Sequence, residues 1–335
     1  MEEIKYSRLL YKHIPQLKEF CRINWGQEHP LIHNEDMFNW YYHKDNLINM
    51  VIAYTGDTQG IDILGVCGYI LTNTGEHPDV FLSYILSKKG VKATLSLRLI
   101  EYILEITKAR TINCNNIRKK TKGIYEFLGY TVAGMQHFYR LNPEIMKYSL
   151  CKTTSDSIEI KKGSGNISVI EILCADDLNS FPFEEYQENR PYKDKEYVIK
   201  RYVLYPFHKY MIFRLFEGIK EALLVIRKIE YEFSVMLRIV DFIGDRELIK
   251  KSGPFVNRLI QKHKAEYCDW YVFGINEADM KEIGFSSVNE DKGDIFPLYL
   301  SPPVMENTEI TIFVSNPEGF LMFRADGDQD RPNLG

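Results

Sequence analysis

The two halves of this sequence repeat nearly the same order of predicted elements, and this repetition limits the folds that the chain can adopt. A Gly-Val-Cys-Gly-Tyr segment at 65–69 lies roughly 60 residues before Gly129-Tyr130, and the apolar segment 222–226 lies roughly 60 residues before Gly284-Phe285. Long repeats of this kind indicate duplicated units. The length of 335 residues agrees with this prediction, because single hydrophobic cores seldom grow beyond about 250–300 residues.

A polar segment separates the two halves. It contains Thr-Thr-Ser-Asp-Ser followed by Lys-Lys-Gly-Ser-Gly, and such a composition offers few apolar contacts to a core. We therefore expect a first domain at 1–150, a linker at 151–166 and a second domain at 167–335.

Hydrophobic periodicity predicts the elements at the end of the first half. Strands are expected at Val80–Leu86 and Thr111–Asn115, with a long amphipathic helix over 95–106 between them. A short helix is expected at Thr121–Leu128, and Thr131–Leu141 is expected to close the unit as one strand.

Composition excludes several classes of protein. The 42 Lys and Arg residues are outnumbered by 46 Asp and Glu residues, and nucleic-acid binders normally show a basic excess, so no nucleic-acid partner is expected. The first ten residues include acids where a signal peptide needs basic residues, and no apolar run reaches about 18 residues. These features predict a cytoplasmic protein without a membrane span. The six cysteines are widely spaced and are expected to be free thiols rather than metal ligands.

The segment Asn116–Tyr130 has the most specific motif. An Asn follows a predicted strand, Tyr125 lies in the next helix, and Gly129-Tyr130 closes that helix. With this motif and element order, residues 5–142 resemble the GNAT (Gcn5-related N-acetyltransferase) family. The resemblance implies an α/β fold of the α+β type with two tandem GNAT-like domains. Each domain is expected to have a mixed, mostly antiparallel sheet flanked by helices.

The resemblance also implies an acyl-CoA donor, either acetyl-CoA or another acyl-CoA. In that family two strands splay apart and their backbone groups hold the pantetheine arm; Leu86 and Asn116 lie at the matching strand ends here. The family's Tyr, matched by Tyr125, can protonate the leaving thiolate. Packing of Tyr125 beneath the Gly-Tyr turn is the alternative.

The loop that binds pyrophosphate in the family departs from its usual sequence here. The matching residues are Lys88, Lys89, Gly90, Lys92, Ala93, Thr94 and Ser96. Lysines at a helix start can neutralise phosphates, but Thr94 and Ser96 stand where the family has glycines. An ordinary helix start with solvated lysines is equally compatible with this sequence. In the second half, Asp241 and Asp245 would repel pyrophosphate, so no donor site is expected there.

Alternating acids near the C-terminus form the remaining candidate site. Asp326, Asp328 and Asp330 match the start of a calcium loop, but the later Glu ligand is missing, so no metal is predicted. A strand-like segment at 308–324 precedes them and would direct them to the cleft between domains, where Asp326 and Asp328 could accept a proton from an amine. A solvated tail remains an alternative. The segment is similar to tails of tandem GNAT-like proteins in surface-polysaccharide pathways.

These observations predict an acyl-CoA-dependent N-acyltransferase acting on a small amine, with an amino-sugar nucleotide of glycan biosynthesis as one acceptor. Two alternatives remain open. The first is a non-catalytic tandem binding protein of a polysaccharide pathway, favoured by the missing loop glycines. The second is an aminoacyltransferase resembling the Fem family, although the acidic charge balance disfavours a tRNA-bound donor.

Overall fold

Two mixed sheets form the framework of the computed structural model, which describes residues 2–57, 60–92, 94–156 and 167–332. Ala93 and most of the expected linker lie outside the described residues. The strands are β1 (Lys5–Arg8), β2 (His43–Lys44), β3 (Leu47–Ile48), β4 (Met50–Asp57), β5 (Gly60–Leu71), β6 (Asp79–Ser87), β7 (Thr111–Cys114), β8 (Thr131–Gly134), β9 (Gln136–Leu141), β10 (Ser168–Ile172), β11 (Tyr210–Glu217), β12 (Lys220–Tyr231), β13 (Ser234–Gly244), β14 (Tyr267–Phe273), β15 (Ser286–Ser287), β16 (Thr311–Val314) and β17 (Met322–Phe323).

The helices cover the faces of these sheets. They are α1 (Ile14–Trp25), α2 (Pro30–His33), α3 (Glu35–Tyr42), α4 (Thr94–Thr107), α5 (Lys122–Phe127), α6 (Lys195–Val198), α7 (Gly253–Lys262) and α8 (Glu277–Glu282). Short 3₁₀ turns occur at Tyr11–His13, Lys119–Thr121, Ala175–Leu178, Phe183–Tyr186, Arg246–Lys251 and Glu290–Lys292, and a π turn at Ile199–Val203. Within the described ranges, no helix combines the length and apolar character needed to cross a bilayer.

Both sheets are mixed and mostly antiparallel, as the sequence predicts. The first has the strand order β1-β4-β5-β6-β7-β16-β8, and only its β6–β7 pair is parallel. The second has the order β10-β11-β12-β13-β14-β9-β15, with β17 added to β14 and a parallel β13–β14 pair. The matching positions of the two parallel pairs agree with a duplicated unit.

Each sheet contains one strand that comes from the other half of the sequence. β16 enters the first sheet between β7 and β8, with Phe313 opposite both Cys114 and Val132. β9 enters the second sheet between β14 and β15, with Phe138 opposite Trp270. The single strand predicted at 131–141 is therefore wrong, because β8 and β9 belong to different sheets. The division at 150 and 167 remains a proposal for the sequence halves, and the sheets cross it at β9 and β16.

Apolar faces decide how the layers pack around the first sheet. One face buries side chains of α1, α2 and α3, including Leu17, Leu31 and Phe38, against the sheet. The opposite face packs against α4, whose Leu95, Leu99, Ile100 and Ile103 are buried. Because helices cover both faces, a gap between two strands of this sheet becomes a passage between two helical layers.

Candidate active site

The first sheet opens where its two parallel strands separate. β6 and β7 are paired from Asp79 with Thr111 to Leu82 with Cys114. Beyond Leu82, β6 continues to Ser87 and remains paired with β5, whereas β7 ends. The chain turns away at Asn116, which has a positive φ of 69°. Residues 83–87 therefore have no β7 partner along one edge, so their backbone polar groups on that edge are available to a ligand.

A cleft of ≈ 480 Å³ occupies this opening. Its walls come from the ends of β6 and β7, the α1–α2 region, α4, α5 and the C-terminal tail. The lining residues are Trp25, His29, Leu31, Ser83, Tyr84, Ile85, Leu86, Ser87, Ser96, Ile100, Cys114, Asn115, Asn116, Ile117, Arg118, Lys120, Thr121, Ile124, Tyr125, Asp328, Gln329 and Arg331. Leu86, Ser96, Asn116, Tyr125 and Asp328, each predicted from sequence as a site residue, thus meet at one cleft.

Tyr125 both packs in the core and lines the cleft, so the two interpretations of its sequence position coexist. Its side chain is buried, and its ring stacks on Phe313 with 4.1 Å between ring centroids. Because Phe313 belongs to the exchanged strand β16, the second half of the sequence helps to position this tyrosine. Burial raises the pKa of Tyr125 far above its usual value, which keeps the phenol protonated at neutral pH.

Asp328 also lines the cleft, as part of the C-terminal tail. Its carboxylate forms an ion pair with the Arg331 guanidinium and accepts a hydrogen bond of 3.1 Å from Gln329 Nε2. The side chain is buried at 4% exposure, although it is part of the cleft wall. A carboxylate held there can accept a proton from a ligand in the cleft.

Asp326, predicted alongside Asp328, does not line the cleft. It is fully buried and pairs with Lys193 at 2.6 Å, while Lys193 also pairs with Asp241 at 2.5 Å. The Phe323 backbone N–H donates to the same Asp326 carboxylate at 2.7 Å. Burial raises the pKa of Asp326 to about 6, against the opposing effect of Lys193. This carboxylate therefore anchors the tail inside the protein.

The lysines of the loop before α4 lie outside the lining of the cleft. Lys88 forms an exposed ion pair of 2.8 Å with Asp62, and Lys89 and Lys92 are exposed. Gly90 takes a positive φ of 87°, and Thr94 begins α4. Their role in binding phosphates remains a prediction.

Beside these residues, Ser96 Oγ lies 2.9 Å from Ser87 Oγ, within hydrogen-bond distance. This contact connects the first turn of α4 to the end of β6. The two serines thus form part of the cleft wall that leads toward the loop.

Sequence reasoning missed a second group of lining residues, on the side of α1 and α2. Trp25, His29 and Tyr84 contact one another with ring centroids 4.8 to 5.4 Å apart. The Arg118 guanidinium stacks over Trp25, 4.1 Å from the ring centroid. Burial lowers the pKa of His29 to about 4, so its imidazole is neutral at pH 7. Helical periodicity assigns Trp25 to a core-facing position, and no short motif links it to Arg118.

The corresponding opening in the second sheet is closed by the chain itself. β13 and β14 pair from Leu237 with Cys268 to Ile239 with Trp270. Beyond that point β17 pairs with β14, and the Ala325 N–H donates to the Val240 carbonyl at 3.0 Å. Residues 322–325 therefore fill the gap that is open in the first sheet.

No group of three or more His, Cys, Asp or Glu side chains among the described residues is placed to bind a metal ion. The six cysteines are free thiols, and Cys174 is exposed while the others are buried. Burial raises the pKa of Cys114, the cysteine in the cleft wall, well above its usual value. Its sulfur is therefore a neutral thiol and a weak nucleophile.

Comparisons with known proteins identify similar folds. No protein-family model matches the sequence, and a search of curated proteins found no match. The crystal structure of a GCN5-related N-acetyltransferase from Anabaena variabilis ATCC 29413 superposes with a TM-score of 0.57 at 11% identity, covering 93% of this chain and 72% of that chain. One from Kribbella flavida gives a TM-score of 0.54 at 10% identity, covering 93% and 71%.

A third crystal structure, of a conserved protein of unknown function from Enterococcus faecalis V583 described as a probable N-acyltransferase, has a TM-score of 0.52 at 11% identity. It covers 95% of this chain and 74% of its own. At these identities the similarity establishes the fold and leaves the reaction to be argued from the site. Over nearly its whole length, this chain has the fold of the GCN5-related N-acetyltransferases.

Proposed function

We propose that this protein is an acyl-CoA-dependent N-acyltransferase that acylates a small amine. The observation that supports this most strongly is the open cleft of the first sheet, where a protonated Tyr125 and the Asp328 carboxylate line the same space. The fold places a splayed pair of parallel strands beside them. A proton donor and a proton acceptor at one cleft are the groups that an acyl transfer between a thiol and an amine requires.

The donor arm is proposed to lie along the free edge of β6. Backbone groups of residues 83–87 would hydrogen-bond the pantetheine amides, with Leu86 and Ser96 in contact with the arm. The phosphates would then reach the loop that contains Lys88, Lys89 and Lys92. Acetyl-CoA is the first donor to test, and a cytoplasmic location, where acyl-CoA is available, belongs to the same proposal.

The reaction is proposed as a direct transfer. The amine nitrogen attacks the thioester carbonyl carbon, a C–N bond forms, and the C–S bond breaks. Asp328 accepts the proton that the nitrogen loses, and Tyr125 donates a proton to the departing thiolate. The neutral thiol of Cys114 argues against an acyl-cysteine intermediate, because the thiolate is the reactive form.

The acceptor is proposed to enter from the side of Trp25, His29 and Tyr84. Trp25 and His29 are half-buried rings in this wall, and aromatic side chains with polar edges suit contact with a sugar. An amino-sugar nucleotide of a glycan pathway is therefore the first acceptor class to test.

Release of free CoA thiol, followed by mass spectrometry of the product, tests the proposal. The assay pairs acetyl-CoA and longer acyl-CoAs with amino-sugar nucleotides and simpler amines. Asp328→Asn is expected to lower kcat by about 10²-fold or more, because it removes the proton acceptor. Asp291→Asn, a change of the same kind at an exposed site, is expected to retain wild-type turnover.

One observation favours a second candidate function, a protein that binds its ligand without turnover. Thr94 and Ser96 replace the loop glycines of the family, and Lys88 is already paired with Asp62. Acetyl-CoA binding without thiol release in the presence of any amine would support this second function and contradict the first.

A further inference from the structure

We propose that the acceptor carries an anionic group, a carboxylate or a phosphate, which binds the Arg118 guanidinium stacked on Trp25 while the acceptor amine approaches Asp328. This inference rests on the proposed acyltransferase function and assigns the chemistry of its acceptor.

The stack on Trp25 holds Arg118 in a defined orientation. Arg118 lies just after β7, and its guanidinium carbon is 4.1 Å from the centroid of the Trp25 ring at the end of α1. Stacking fixes the plane of a guanidinium and leaves its N–H groups pointing outward from the edge of that plane. Such a fork matches the two oxygens of a carboxylate or phosphate.

The side chain of Arg118 is exposed, and its N–H groups have no acceptor among the residues that the structure describes. Across residues 2–57, 60–92, 94–156 and 167–332, its guanidinium forms neither a hydrogen bond nor an ion pair. Two nearby cations do have counter-ions: Arg331 pairs with Asp328, and Lys119 pairs with Glu309 at 2.6 Å. Arg118 therefore stands at the cleft wall as an oriented cation without a counter-ion.

The charge of the cleft wall also favours an anionic ligand. The lining includes three cations, Arg118, Lys120 and Arg331, and one carboxylate, Asp328. His29, which lies among them, is neutral at pH 7 because burial lowers its pKa to about 4, with Arg331 acting in the same direction. A positive wall in a protein of net charge −4 raises the local concentration of anionic amines.

The stack lies on the face of the first sheet from which the acceptor is proposed to enter. It is also near the loop that contains Lys88, Lys89 and Lys92. Trp25 packs with the α1–α3 layer, and α4 covers the other face. The Lys89 N–H nevertheless contacts Asn24 Oδ1 at 3.4 Å, one residue before Trp25. A decisive experiment must therefore separate an effect on the acceptor from an effect on the phosphates of CoA.

Matched amine pairs provide that separation. Glucosamine 6-phosphate is compared with glucosamine, and glycine with glycinamide, with acetyl-CoA as donor in each case. We expect kcat/KM to be at least tenfold higher for the anionic member of at least one pair. In Arg118→Gln that ratio is expected to fall below threefold through a higher KM, and the pair with the larger loss identifies phosphate or carboxylate as the bound group.

Lys119→Gln is the matched control, because it removes the same charge from the neighbouring residue without changing the cleft lining. It is expected to retain the anion preference. Trp25→Leu removes the stack and leaves the charge, and it is expected to reduce the preference to an intermediate value.

Calorimetry keeps this inference distinct from the proposed function. Glucosamine 6-phosphate and glycine are titrated into wild type and Arg118→Gln with unreactive desulfo-CoA bound, and acetyl-CoA is titrated separately. Arg118-dependent binding of an anionic amine supports the inference, even if no acyl transfer occurs and the proposed function fails. An equal loss of acetyl-CoA affinity in Arg118→Gln, or no Arg118-dependent binding of either amine, overturns it.

Discussion

In the first sheet the gap beyond Leu82 and Cys114 forms a cleft, whereas in the second sheet the gap beyond Ile239 and Trp270 is closed by residues 322–325. The strand order around the two gaps is equivalent, so the topology creates both openings. The two gaps differ in what fills them: the first is an open cleft, and the second contains residues 322–325 of the same chain. A strand pair that splays apart can serve either as a ligand site or as an attachment point for another segment of the chain.

The same tail connects the two gaps. After residues 322–325 close the second gap, Asn115 of the first half holds the segment by donating to the Phe323 carbonyl at 3.0 Å and to the Asp326 carbonyl at 3.3 Å. Asp328 then reaches the cleft wall. The second half of the sequence thus contributes Asp328 to the cleft of the first sheet.

The largest expected effect concerns the ion cluster that holds the second gap closed. Lys193→Met leaves the buried carboxylates of Asp241 and Asp326 unpaired, and we expect a loss of about 3–5 kcal/mol in the free energy of unfolding. Urea denaturation measures this loss. Lys250→Met, which breaks an exposed pair, should cost less than about 1 kcal/mol. Similar small losses in both variants would mean that the cluster does not anchor the tail.

Next in size is the effect of the phenol in the open cleft. Tyr125→Phe keeps the stack on Phe313 but removes the proposed proton donor, so kcat is expected to fall about 10²-fold without a change in stability. Tyr130→Phe is the control, because Tyr130 also stacks on Phe313 and lies outside the cleft lining. Since burial raises the pKa of Tyr125, wild-type activity should not fall through loss of this proton between pH 7 and 9. Unchanged kcat in Tyr125→Phe would reduce Tyr125 to a packing residue.

The smallest expected effect concerns acetyl-CoA binding by the loop that contains Lys88, Lys89 and Lys92. The same experiment counts the acetyl-CoA sites per chain. Replacing Lys88, Lys89 and Lys92 with alanine is expected to weaken acetyl-CoA binding by about tenfold, because exposed charges contribute modestly. Calorimetry should give one acetyl-CoA per chain. The control changes Lys250 and Lys251, in the turn after β13, to alanine and should leave the affinity unchanged. Two bound acetyl-CoA molecules per chain would contradict a closed second gap.

Local patterns in the sequence predicted the order of helices and strands but not which sheet each strand joins. The boundary between β8 and β9 falls at Met135, and nothing in the alternation of 131–141 indicates that the two parts pair with different sheets. Strand pairing depends on residues distant in sequence, and an apolar strand such as β16 can fit more than one sheet.

Only the part of the candidate site that lies in a local motif could be predicted from the sequence. Tyr125 and Asn116 belong to a local motif, and the structure brings them to the cleft. Asp326 and Asp328 are two residues apart yet reach different surroundings, because the tail turns at Gly327 with a positive φ of 69°. The stack of Arg118 on Trp25 joins residues far apart in the chain, so no spacing rule could reveal it.

The exchange of β9 and β16 has a consequence for how the chain folds during its synthesis. Most of the second half of the sequence separates β16 from its neighbours β7 and β8, so a nascent chain must hold an incomplete first sheet until β16 has been synthesised. Cutting the connection between the halves is not expected to release them, since each fragment would still contribute an interior strand to the other's sheet. Each sheet therefore needs a strand from the other half of the sequence, and neither half can complete its sheet alone.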